Sequence, residues 1–271
     1  MITWDLFIYF AIAAVLLWAT GAWAAWRDKT SLAYTTTVLG LVVFFAFILS
    51  MWISLERPPL RTMGETRLWY SFFLPLAGLI VYSRWKYKWI LSFSTILSLV
   101  FICVNLFKPE IHDKTLMPAL QSPWFAPHVI VYMFAYAVFG VATLMAVWML
   151  IKERSNSQLS TLNSQLSTLN SQLDDLVYVG LAFLTIGMLF GALWAKEAWG
   201  HYWSWDPKET WAAITWLAYL VYIHYRQLPR QRARLAHWML IISFLLLQMC
   251  WWGINYLPSA QGSSVHTYSL D

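Results

Sequence analysis

Between Trp194 and Trp216 the chain reads WAKEAWGHYWSWDPKETWAAITW, with Trp194, Trp199, Trp203, Trp205, Trp211 and Trp216 set around Gly200, Asp206, Pro207, Lys208 and Glu209. Tryptophan offers a large flat face and a single N–H donor. Such a cluster between apolar helices either lines a membrane interface or makes a shelf for a planar ligand. The interrupting residues shape a surface: Asp206 and Pro207 predict a turn that aims Trp203 and Trp205, and Glu209 suits the N-terminus of the helix that follows. Lys196, Lys208, Arg57, Arg61 and Arg67 could pair with a ligand's carboxylates or anchor to headgroups. Of six histidines, His128 follows Pro127 at a predicted helix start, and His201 lies inside the tryptophan stretch. His112 lies in an earlier polar loop, and His266 in the closing stretch PSAQGSSVHTYSLD. His224 and His237 sit toward the opposite ends of their helices. Neutral imidazole is a common metal ligand, yet on residue type alone His128 reads first as an interfacial helix residue and His266 as a tail residue.

The elements that must position these groups are membrane helices. A 271-residue chain that is 60% hydrophobic and only 11% charged cannot cover a soluble globule of this size. Apolar runs near 4–25, 31–54, 68–83, 89–107, 127–151, 176–195, 210–225 and 237–257 predict about eight transmembrane helices, so the fold class is all-α, a polytopic integral membrane protein. The third and seventh runs are short for a span. They must extend into flanking aromatic residues or lie where the bilayer thins.

Lysine and arginine, sorted by alternate loops, set the orientation. One set holds eleven, in Arg27, Lys29, Arg84, Lys86, Lys88, Lys152, Arg154, Arg226, Arg230, Arg232 and Arg234, against seven in Arg57, Arg61, Arg67, Lys108, Lys114, Lys196 and Lys208. The richer set marks the inner side, so both termini and the tryptophan stretch are expected outside. The formal charge of +5 is then topological, and no nucleic-acid partner is expected. His224, fourteen residues below Thr210, lies roughly 21 Å deeper along its helix, toward the inner side. An ionisable group there is a functional suspect, or a residue snorkelling beside Arg226.

The first helix starts close to Met1 without a basic leader or a small-residue cleavage site, and is expected to be a retained span. Cys103 and Cys250 fall inside apolar runs with no C-x-x-C, and read as buried structural thiols. Residues 156–172, NSQLSTLNSQLSTLNSQ, repeat a seven-residue unit whose leucines at 159, 162, 166, 169 and 173 would form a narrow stripe on a helix. Uncharged and rich in Ser and Asn, the repeat reads as a tolerated loop expansion, with a coiled-coil extension as the alternative. The expected organisation is a single membrane domain over 1–271, with an outer tryptophan-rich segment at 194–211 and an inner low-complexity loop at 152–175.

WGHYWSWDPKETW, together with GALWAKEAW before it and ITWLAYLVYIHYR after it, resembles the WWD signature of the heme-handling proteins of cytochrome c maturation, in their CcsA/ResC branch. SPWFAPHV at 122–129 and VHTYS at 265–269 resemble the family's flanking histidine contexts, and RPPLRTMGETRLW at 57–69 its early outer loop. The resemblance implies heme b as substrate, with His128 and His266 as axial ligands on the outer side and His224 as an inner ligand. It implies that Trp199, Trp203, Trp205, Asp206 and Trp211 form the heme-binding shelf. It further implies a CcsB/ResB-type membrane partner, an apocytochrome c bearing C-x-x-C-H, a thiol-reducing protein nearby, and a bacterial cytoplasmic membrane. His237 is an internal rival to the partner's ligand opposite His224. A CcmC-like heme-delivery protein and a b-type electron-transfer subunit remain the alternatives; DPKETWAAITWL fits the CcsA branch better, and a permanent heme would need ligands at matched depth on facing helices.

Overall fold

A computed structural model describes residues 3–108, 112, 122–155 and 159–257. Among them the chain is helical throughout, with no strand: a 3-10 turn at Trp4–Leu6, then α1 (Phe7–Trp26), α2 (Thr30–Leu55), α3 (Met63–Trp85), α4 (Lys88–Phe107), α5 (Phe125–Ser155), α6 (Leu159–Trp199), α7 (Pro207–Arg226) and α8 (Ala233–Trp251), followed by a 3-10 turn at Gly253–Tyr256. The protein is a polytopic all-α membrane protein. By length and composition α1 with its preceding turn, α2, α4, α5, α6 and α8 can each cross a bilayer. α3 and α7 fall outside that group, and they correspond to the two short apolar runs. Large apolar side chains such as Val42, Leu189 and Val221 point outward, as lipid-facing residues do.

The chain resolves into two compact units, Met1–Gln121 and Ser122–Asp271, each of four helices. In each unit every helix packs on its neighbours in sequence and the ring closes, α4 on α1 and α8 on α5. Local chemistry recurs as well. Glu56 ends α2 in the left-handed conformation, φ 53°, and Thr62 with Glu65 forms a capping box at the start of α3. Gly200 ends α6 at φ 85°, and after the same number of residues Asp206 with Glu209 forms a capping box at the start of α7. Such a box satisfies backbone donors that the first helical turn leaves without partners. In the first unit, Arg57 grips Glu65 through two bonds of 3.0 and 2.9 Å, and buried Asn105 donates to the Gly64 carbonyl at 3.1 Å.

α5 is the most enclosed of the six apolar spans: 78% of its apolar window is buried, against 33–39% for the others, which makes it a fixed platform. It packs against α6 through an antiparallel ladder. Gly180 faces Phe139, Gly187 faces Tyr132 and Gly191 faces His128, and a Cβ at any of the three glycines would come within 2.7 Å of the ring opposite. Helix axes draw together only where one surface lacks side chains.

The expectation for 152–175 needs correction. Where it is described, the stretch is helical, because α5 continues to Ser155 and α6 begins at Leu159. α6 therefore has 41 residues, on the order of 60 Å and about twice the hydrocarbon thickness. Leu169 and Leu173 of the repeat are buried, an apolar face that composition alone does not reveal.

Candidate functional site

The end of the second unit that carries the tryptophan loop is built on the α5–α6 pair. The Ser122 hydroxyl donates to the Glu197 carboxylate at 2.7 Å, which closes the mouth of the hairpin. One turn into α5, the His128 ring lies 4.6 Å from the Tyr132 ring and 5.6 Å from that of Trp194, while Trp194 packs on Trp199 at 4.9 Å. Nδ1 of His128 is 2.8 Å from the Gly187 carbonyl oxygen. A carbonyl can only accept, so Nδ1 carries the proton and Nε2 holds the lone pair. This is the tautomer in which a neutral imidazole binds a metal through Nε2.

Beyond α6, the Lys196 ammonium donates to the Gly200 carbonyl at 2.8 Å and sits 5.5 Å from the Tyr202 ring centroid, capping the helix end. The loop that follows hangs on Glu209, whose carboxylate accepts from the Ser204 N–H at 2.8 Å, the Ser204 hydroxyl at 3.3 Å and the Asp206 N–H at 3.2 Å. Asp206 in turn accepts from the Lys208 N–H at 2.8 Å. Held from both sides, Trp205 adopts φ 59° with its side chain 70% exposed, its ring at 5.7 Å and nearly perpendicular to that of Trp203. A bulky residue in that conformation costs about 1–3 kcal/mol.

The other end of the unit carries His224, exposed in the last turn of α7, with Nδ1 2.8 Å from the Leu220 carbonyl of its own helix. By the same reasoning its Nε2 is the lone-pair nitrogen. His237 differs. It is fully buried, and its Nε2 is 2.9 Å from the Asn170 amide oxygen. Nearby, Asp174 accepts from Arg226, Nε at 2.9 Å and Nη2 at 2.8 Å, and from the Tyr222 hydroxyl at 2.7 Å.

Residues 63–260 match the cytochrome C assembly protein family. Proteins named cytochrome c biogenesis protein CcsA align with most of the chain: one from Zea mays is 32% identical, across 89% of this chain and 86% of its own length. One from Atropa belladonna is 33% identical, and one from Solanum bulbocastanum 34%, each across 89% of this chain and 88% of its own. The chain belongs to the cytochrome c assembly family. It is thus a multi-pass membrane protein with a role in cytochrome c biogenesis.

Within this family member the structure brings some of the singled-out residues together and separates others. His128, Trp194 and Trp199 form one cluster, and Trp203 with Trp205 a second pair. Trp211 is half-buried in the first turns of α7, and Trp216 donates to the Thr185 hydroxyl at 2.9 Å. His201 is exposed in the loop, and His112 stacks on Trp4 in the first unit with ring centroids 3.8 Å apart. His266 lies outside the described residues.

Asp206 is buried, and its carboxylate caps α7. Lys196 holds the end of its own helix and Arg57 holds Glu65, so the choice between ligand partner and headgroup anchor overlooked a third use, fastening loops. Sequence reading also passed over Gly187, Gly191, Asp174 and Asn170. Their signal was present in part: Gly180, Gly187 and Gly191 share one helical face by spacing alone.

Proposed function

We propose that this protein is the heme-handling subunit of a cytochrome c synthase. It accepts heme b near His224 on the inner side and presents it on the outer side between His128 and His266, against the shelf of Trp199, Trp203, Trp205 and Trp211. The observation that supports this most directly is the hydrogen-bond partner of each histidine. His128 and His224 each give Nδ1–H to a backbone carbonyl and keep Nε2 as the lone-pair nitrogen, whereas the Nε2 of the rival His237 is engaged by Asn170 inside the helical core. Asp206 belongs to the shelf as the residue that sets the loop.

On this reading the apocytochrome's two C-x-x-C-H thiols add across the heme vinyl groups, each S–H placing sulfur on one carbon and hydrogen on the other. The protein contributes ligation, orientation and exclusion of water. A CcsB/ResB-type membrane protein is the partner and supplies the second ligand at the inner position, and a thiol-reducing protein keeps the apocytochrome cysteines reduced. The setting is a bacterial cytoplasmic membrane with the tryptophan loop outside.

The protein purified with this partner is expected to carry sub-stoichiometric heme with a low-spin reduced spectrum. His128→Ala and His266→Ala are each expected to abolish cytochrome c maturation and to recover part of it with added imidazole, which replaces a ligand without rebuilding a fold. Normal maturation in both variants would overturn the outer-site assignment.

A further inference from the structure

We propose that Gly191 is a positioning residue for the outer heme ligand: its missing side chain lets the His128 imidazole lie against α6, where the Gly187 carbonyl fixes ring orientation and tautomer together. The inference rests on the reading of His128 as an axial ligand. Three sides of the ring are set by the structure. Tyr132 and Trp194 flank it at 4.6 and 5.6 Å, and Nδ1 meets the Gly187 oxygen at 2.8 Å. The side toward α6 is open only because residue 191 has no Cβ.

A methyl group there would sit 2.7 Å from Cε1 and 2.8 Å from Nδ1 of His128. The crowded atoms are those of the ring that would ligate iron, and one of them is the nitrogen that makes the bond to Gly187. Restoring ordinary van der Waals separation moves the ring by about 0.7 Å or more, which takes the 2.8 Å bond close to the limit of about 3.5 Å beyond which it no longer counts. The bond that assigns the proton to Nδ1 is then weakened, and Nε2 leaves the position in which α5 holds it.

Gly180 gives the internal control. A Cβ there would meet Phe139 at 2.7 Å, the same steric insult on the same interface with no histidine involved. The difference between the two substitutions therefore separates ligand positioning from helix packing.

The test compares Gly191→Ala, Gly180→Ala and His128→Ala, each co-expressed and purified with the partner protein. For Gly191→Ala, protein level and helix content are expected to match those of Gly180→Ala, while low-spin outer heme and cytochrome c maturation fall about 10–100-fold, as for loss of a group that orients a metal ligand. Added imidazole is expected to restore part of the maturation in Gly191→Ala, as in His128→Ala, and to do nothing for Gly180→Ala. Equal loss of protein in both glycine variants without imidazole rescue would overturn the inference and leave a packing role. So would wild-type heme and maturation in Gly191→Ala while His128→Ala is inactive, and in that case the assignment of His128 stands. Wild-type maturation in His128→Ala would instead bring down the ligand reading, and the inference with it.

Discussion

Two kinds of constraint act on single residues here, and they separate by experiment. Trp205 is held at φ 59° by a loop fastened to Glu209 and Asp206, and it exposes most of its indole. Trp205→Gly would relieve the backbone strain, worth about 1–3 kcal/mol, while removing the aromatic face. Heme retention is expected to fall, with thermal stability in detergent unchanged or raised; parallel losses of stability and heme would indicate a packing residue. The inner histidines invert the pattern. His237→Ala removes a buried side chain and leaves Asn170 without that partner, costing about 1–3 kcal/mol of stability, yet it is expected to retain heme at the inner position. His224→Ala, at an exposed position, should cost little stability and deplete heme at both positions because supply fails upstream. Heme content measured beside melting temperature for the two variants distinguishes the roles, and heme loss confined to His237→Ala would reverse them.

The informative element is α6. Its N-terminal part is built from a seven-residue unit, and seven residues make nearly two helical turns, so whole units can be removed without rotating the faces that pack. Deleting residues 164–170 brings Leu162 to the place of Leu169 and Asn163 to that of Asn170. The buried leucine and the amide that meets His237 are both restored. Maturation and melting temperature are expected to stay close to wild type. Deleting only residues 167–170 places Gln165 and Leu166 there, burying a polar side chain and removing the amide, at a cost of about 2–4 kcal/mol. If both deletions were tolerated equally, the repeat would be a spacer with no packing role.

At the scale of the molecule, four helices recur twice, with a capping box opening the third helix of each unit. An acid near a helix N-terminus stabilises that end, and α3 and α7 are also the two helices too polar to stand among the candidate spans. In both boxes the acid is buried and satisfied by backbone donors, and each box lies beside a polar loop, one carrying arginines and the other tryptophans. The distribution of Lys and Arg sets the expected orientation, with Ser204 and Ser264 outside. Cysteines substituted at those two positions should react with a membrane-impermeant thiol reagent in intact cells. Protection of both until lysis would invert the topology.

Hydrophobic runs of bilayer length determined the helical, membrane-spanning class, since a hydrocarbon solvent leaves a backbone few ways to satisfy its hydrogen bonds. The motif around Trp199–Trp211 pointed to the family, because its residue types and order are improbable in an ordinary span. Local chemistry was also legible at Glu209, whose place at a helix start follows from charge and spacing. The division into two units was hidden, since every apolar run looks alike to a hydropathy window and only packing sorts them. The helical repeat was hidden because Ser, Thr and Asn lower propensity residue by residue, while burial of Leu169 and Leu173 acts only once the chain has packed. The histidines show the same limit. Sequence ranked them by depth, whereas proton placement depends on which carbonyl or amide lies within 3 Å, and for His128 and His237 that partner comes from α6. Contacts between residues far apart in the chain exist only after folding, and they set the hydrogen-bond partner of each of these two rings.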